Sequence, residues 1–200
     1  KEGWVNREQL ERTLMPGGEA VALPGPSPES RESHRWEIGL ASGDFDLMKP
    51  FFRYYAGLLP VRRAITKAWF GHDGAYYREN IEPTGAERDC GLDGRPLKGR
   101  PGQPADFYHS YYFTSGLEIT AMMLDYAAYT GDAAFRDQVL VPFAREILLF
   151  FDRHYPRGAD GKLRLDPAQV LETFWLAVNP APDIAGLRYC LDELLRTQAG

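Results

Sequence analysis

The chain has 200 residues and a formal net charge of −5, and is 44% hydrophobic and 13% aromatic. That is enough apolar material for one domain-sized core and too much for a disordered chain. Acids and bases are interleaved without a basic run, which argues against nucleic acid and anionic membrane surfaces as partners.

Residues 1–35 read as an irregular segment or linker: Glu8 to Leu14 has room for two helical turns, and MPGG and LPGPSPES follow, dense in Pro, Gly and Ser. Lys1 in place of Met is the pattern of a piece of a longer chain or of a processed one. No signal-peptide pattern and no membrane-length apolar run is present, and localisation stays open. A boundary near Ser33 leaves 36–200 as the structured region.

Trp36 to Ser42 reads as the end of a helix closed by Gly43, with Asp44 placed to cap the next one. Asp46 to Phe70 is predicted helical, interrupted at Pro50 and Pro60, with Leu47, Phe51, Tyr54 and Leu58 as its apolar stripe. Gly71-His72-Asp73-Gly74 ends it. Ala75 to Tyr108 is a long connection, of a length that in compact domains is usually functional or disordered.

His109 to Thr130 is the clearest predicted helix. Phe113, Leu117, Leu124 and Ala128 form one apolar stripe, and Ile119, Met122, Tyr126 and Tyr129 a second. A helix apolar around most of its circumference is packed on several sides. Its polar line, Thr114, Glu118, Ala121 and Asp125, faces either a solvent-filled cavity or simply the surface. Gly131-Asp132 then repeats the Gly43-Asp44 signal 88 residues on (Gly43 to Gly131). An amphipathic helix follows to Tyr155, with Phe135, Val139, Phe143, Ile147 and Phe150 inward and Asp137, Arg145 and Asp152 outward. The two copies predict an internal αα-hairpin repeat. Asp160-Gly161 marks a small β-hairpin near 157–165. Asp183 to Arg196 is the final amphipathic helix, with Ile184, Leu187, Leu191 and Leu194 on one side.

No cofactor fingerprint is present: the chain holds no GxGxxG, Walker loop or GxSxG. The four histidines are scattered without HExxH, so no metal site is indicated, and Cys90 and Cys190 stand outside any CxxC and read as unpaired thiols.

The helix order, alternately buried and amphipathic, predicts an all-α fold of the partial α/α-toroid kind. The stretches ASGDFDLMKPFFRYYAGLLP, FGHDGAYYREN, GLEITAMMLDYAAYTGD and LRLDPAQVLETFWLAVNPAPDIAGLR resemble bacterial proteins of a domain family of unknown function. That family belongs to the six-hairpin glycosidase superfamily, with the inverting α-fucosidases and maltose-type phosphorylases. The resemblance covers residues 36 to 198; Arg78 stands where a Pro usually precedes Glu79. It implies six αα-hairpins closed into a ring, with an oligosaccharide or glycoside bound at one mouth. This chain would supply about half of the ring and the remaining hairpins of the full-length protein would be its partners. In the related hydrolases the loop after an outer helix and its small hairpin carries the general acid, and Glu172 is the matching position here.

The residues around Glu172 suit that role. Leu171, Phe174 and Trp175 would disfavour a charged carboxylate and raise its pKa. Trp175 would stack on a sugar face and Asn179 would hydrogen-bond hydroxyls. The competing reading is structural: Asp166-Pro167-Ala168-Gln169 fits a capping box, putting Glu172 in a short solvated helix. Asp183 reads as the N-cap of the last helix. Among further acids, Glu79 with Asn80 is placed for substrate contacts, Glu118 for the cavity wall beside Tyr111 and Tyr112, and none matches the general base. The expected function is inverting hydrolysis of a glycosidic bond in the complete protein, with no metal or cofactor. The other class kept open is a non-catalytic carbohydrate-binding or structural helical-repeat domain.

Overall fold

A computed structural model describes residues 39–78, 81, 83–85, 111–170 and 174–198. Residues 1–38, including the expected linker and its two helical turns, lie outside the described residues, as does most of the long connection. The described part is mostly helical with a small antiparallel sheet.

Residues 39–42 are helical and stop at Gly43, whose φ of 79° is left-handed. Helices α1 (Phe45–Gly57) and α2 (Leu59–Phe70) follow. Asp44 occupies the N-cap of α1, but its carboxylate takes the Ser42 hydroxyl at 2.6 Å instead of an N–H of the helix. The break between α1 and α2 falls at Leu58, just before Pro60, while Pro50 is absorbed inside α1.

Of the predicted stripe, Leu47, Phe51 and Tyr54 face outward and only Leu58, at the end of α1, is buried. Leu47 is 78% exposed, and Phe51 and Tyr54 are also exposed, whereas Met48 and Phe52 are buried. The burying face runs through Phe45, Met48 and Phe52, because that side meets Tyr126 edge-on and Phe135 at a tilt. Both faces of α1 carry large apolar side chains, so periodicity alone does not separate them.

Helix α3 (Thr114–Thr130) is buried on several sides as its composition requires, and only Glu118 and the last turn, at Ala128 and Tyr129, are exposed. Gly131 closes it at φ 64°, and the Asp132 carboxylate caps the next helix by accepting the Phe135 N–H at 2.9 Å. That helix has three parts: α4 (Ala133–Phe135), a π-helical turn Arg136–Leu140, and α5 (Val141–His154). The wide turn sits directly before Pro142, which lacks the N–H and whose ring needs room against the preceding turn. It also brings Leu140 into the core and leaves Val139 half-buried.

The expected hairpin near 157–165 is present as a single antiparallel bridge between Arg157 and Leu163, turning at Gly161 with φ 78°. The expected capping box does not form a helix. Residues Ala168–Val170 are strand β1, pairing antiparallel with β2 (Phe174–Ala177), and the chain then enters α6 (Ala181–Gln198). The Gln169 side chain is spent elsewhere: fully buried, its Oε1 accepts the Tyr111 backbone N–H at 3.2 Å.

The core is aromatic, with Phe113, Phe150, Tyr76 and Phe70 meeting mostly edge to face at centroid distances of 4.9–5.9 Å. After α2 the chain doubles back, and Ala75, Tyr76, Tyr77 and Arg78 are all buried. Gly74 makes this possible. Its Cα lies so close to α5 that a Cβ would stand 2.4 Å from the Phe150 nitrogen. Arg62, fully buried, holds the segment by donating to the Tyr76 carbonyl at 2.8 Å and lying 4.4 Å over the Tyr76 ring.

Candidate functional site

Three described features bear on the loops that the sequence marks for function. The first is the β1–β2 hairpin, whose strands flank residues 171–173 in the chain. Its foot is fastened by a reciprocal pair: the Leu165 N–H donates to Asn179 Oδ1 at 2.8 Å, and the Asn179 N–H donates to the Leu165 carbonyl at 2.9 Å. Asn179 adopts φ 50°, a left-handed conformation that Asn tolerates better than most residues. Its Oδ1 thus has a structural duty in holding the hairpin foot. The Tyr111–Gln169 hydrogen bond ties β1 to the start of α3.

The second feature is Asp183. It is not an N-cap: the helix begins at Ala181, with Ile184 N–H donating to the Pro180 carbonyl, and Asp183 is in its first turn. The side chain is 2% exposed and accepts the Thr114 hydroxyl at 2.7 Å. Burial pushes its carboxyl up to about 6; the Thr114 hydrogen bond opposes the rise and the Glu118 charge adds to it. Tyr155, buried at the end of α5, has its own phenol raised by burial and then by the charges of Asp183 and Tyr111.

Thr114 and Asp183 also explain the polar line of α3. Thr114 meets Asp183 and Asp125 meets Tyr189, all across to α6. Between them Gly186 lets Leu117 approach, with only 3.2 Å available to a Cβ. Thr114 and Asp125 thus lie in a seam between packed helices, while Glu118 between them reaches the surface. Asp125 is raised by burial within the seam, an effect the Tyr189 hydrogen bond opposes.

The third feature has no signal in the sequence. His72 and His154, 82 positions apart, bring Nε2 and Nδ1 to 3.2 Å. His154 stacks on Phe150 at 4.8 Å. Its pKa is pushed down to about 4 by burial and by His72.

Of the residues singled out in the sequence, Glu172, Glu79 and Asn80 lie outside the described residues. Trp175 is in β2, and its side chain lies outside them too. Tyr112 is buried at 8% exposure, so its ring packs inward, while Glu118 is exposed one turn along α3 from Thr114. Asn179, Tyr111, Thr114 and Asp183 gather where β1, α3 and α6 meet. Cys190 is a free thiol, fully buried and pushed up to about 12 by burial, so it is an inert packing group. Cys90 lies outside the described residues.

Two shallow grooves, of about 260 and 380 Å³, run beside α2 and contain no residue of the hairpin or of the Asp183 cluster. Along them Arg63 pairs with Glu146 at 3.2 Å and Lys67 with Asp73 at 3.1 Å. Among the described residues no helix is long and apolar enough to cross a membrane. No family model and no curated protein matches the chain.

Proposed function

We propose that this chain is part of an α/α-toroid glycoside-hydrolase-like domain, and that the complete protein cleaves an O-glycosidic bond of an oligosaccharide or glycoside with inversion. Glu172 is the general acid in this reading. The observation that carries it is the hairpin fastened at its foot: Asn179 to Leu165, and Gln169 to Tyr111. A foot anchored in this way is the kind of base a proton donor needs to meet a leaving oxygen reproducibly.

An inverting mechanism also needs a base that activates water, with the two carboxyl groups ~6.5–9.5 Å apart. Asp183 is unsuited to that part, because at 2% exposure no attacking water reaches it. Its place is structural, in the seam between α3 and α6. The base is assigned to the remaining hairpins of the full-length protein, and phosphate in place of water would make the same site a phosphorylase. The acid–base chemistry itself calls for no cofactor.

The test is Glu172→Gln in the full-length protein. Turnover of a glycan is expected to fall by roughly 10²-fold or more with binding retained, the range of general-acid contributions. Unchanged turnover would sink the assignment. Glycan binding without turnover in the unaltered protein would favour the non-catalytic carbohydrate-binding or helical-repeat reading.

A further inference from the structure

The His72–His154 pair carries an inference independent of the glycosidase reading. His72 Nδ1 lies 2.8 Å from the Asp73 carbonyl oxygen. A carbonyl only accepts, so Nδ1 bears the proton, and the lone pair of neutral His72 is on Nε2, the atom facing His154. Backbone-carbonyl orientation of the far ring nitrogen is the usual support of an imidazole metal ligand.

Opposite it stands His154 Nδ1, 3.2 Å away. Two nitrogens at this separation, each ~2.0–2.1 Å from one metal ion, subtend about 100° at the metal, between the octahedral and tetrahedral values. Without metal the contact is closed by a proton on His154 Nδ1. Moving that proton to Nε2 through solvent turns the pair into two converging lone pairs, with no net change in charge on the protein.

We propose that His72 and His154 form a two-imidazole site for a borderline divalent cation of the copper, nickel or zinc class. Nitrogen donors favour these ions over magnesium or calcium. Among the described residues no group of three or more His, Cys, Asp or Glu side chains converges there, so the two imidazoles would be the ion's protein donors. The charged groups nearest the pair are divided in sign. On the loop Asp73 binds Lys67 of α2 at 3.1 Å, and Arg153 of α5 adds a positive charge felt by Asp73. Phe113, which precedes α3, and Phe70 from α2 contribute only ring faces and edges.

An ion in this position would fasten the segment Gly71–Arg78 to the last turn of α5. The chain continues from that segment directly into Glu79 and Asn80. The site is therefore a staple for the loop that leads to them.

The experiment is copper(II) titration of the intact chain after EDTA treatment and its removal, followed by electron paramagnetic resonance and thermal melts. One equivalent is expected to show superhyperfine splitting from two imidazole nitrogens and to raise the melting temperature. His72→Ala and His154→Phe should each lose that equivalent. His34 and His109 remain in both variants and report background binding. His72 is on the more open side of the pair, so His72→Ala decides if His154→Phe fails to fold by circular dichroism. Copper stoichiometry and spectrum unchanged in His72→Ala would overturn the proposal. So would a wild-type protein that takes up no copper beyond that variant, which would make the pair a hydrogen bond only.

Discussion

Thr114 and Asp183 face each other across the seam between α3 and α6, hydroxyl to carboxylate at 2.7 Å, with both side chains buried. One hydrogen bond does not repay the cost of burying a charge, so the carboxyl titrates at about 6 where an exposed aspartate titrates near 4. A raised folded-state pKa means that the folded protein binds the proton more tightly than the unfolded chain. The stabilisation is full below pH ~4 and is lost as pH rises towards 6, with a ceiling of about 3 kcal/mol for a shift of this size. Asp183→Asn keeps an oxygen for Thr114 and removes the titration. It should melt higher than the unaltered protein above pH 6 and close to it at pH 4. Equal melting temperatures at pH 7 would show that Asp183 is not charged in a dry seam.

His154 works in the opposite direction over nearly the same range. Its pKa is pushed down to about 4, so the unfolded chain binds the proton first and stability rises with pH between 4 and 6.5. The two groups offset one another, and a flat pH profile is expected for the metal-free protein in EDTA. Asp183→Asn should then uncover a rise in stability through this window, and His154→Phe a fall. Urea midpoints at half-unit pH steps would separate them. The same slope in both variants would sink this account.

Asn179, a candidate partner for sugar hydroxyls, has a second duty set by its backbone position. Asn179→Ala leaves the Leu165 N–H, on a fully buried residue, without its acceptor and keeps an unfavourable φ. The expected loss is about 1–3 kcal/mol for the orphaned donor. Asn179→Gly tolerates the φ and should lose less. A full-length Asn179→Gly protein that stays folded at the assay temperature but binds glycan more weakly would show the amide NH2 at work on substrate. Normal stability in Asn179→Ala would contradict the fastening of the hairpin foot.

What is legible in the sequence follows its local chemistry. Gly131 and Asp132 announce the end of one helix and the cap of the next, because positive φ and an N-cap carboxylate are local requirements. The all-round apolar character of α3 announces burial for the same reason. Asp166-Pro167-Ala168-Gln169 misleads, since its capping-box pattern is equally consistent with a strand whose Gln side chain reaches Tyr111. The outward face of α1 misleads because Phe51 and Phe52 are chemically alike, and only packing against Tyr126 and Phe135 chooses between them. The histidine pair and the buried state of Asp183 depend on contacts 82 and 69 positions apart, beyond any spacing rule.

Gly74 offers the sharpest test of how the loop after α2 is held. A Cβ there would meet the Phe150 nitrogen at 2.4 Å and its Cα at 2.6 Å, both backbone atoms of α5 that cannot swing aside. Its φ of 103° adds backbone strain, and the Ala75 N–H donates to the Glu146 carbonyl at 2.9 Å, which keeps the loop flush on the helix. Gly71 separates the two effects, because its φ of 77° is also left-handed while nothing lies within 4 Å of the position a Cβ would take. Gly71→Ala should therefore cost only the conformational strain, about 1–2 kcal/mol. Gly74→Ala adds overpacking of about 1–3 kcal/mol or more against backbone, and loses roughly 10 °C in melting temperature at this chain length. The larger loss at Gly74 also predicts displacement of the segment carrying His72, so copper uptake at the pair should fall in Gly74→Ala and persist in Gly71→Ala. Similar melting temperatures for the two variants would mean that the loop does not lie against α5 as closely as the geometry requires.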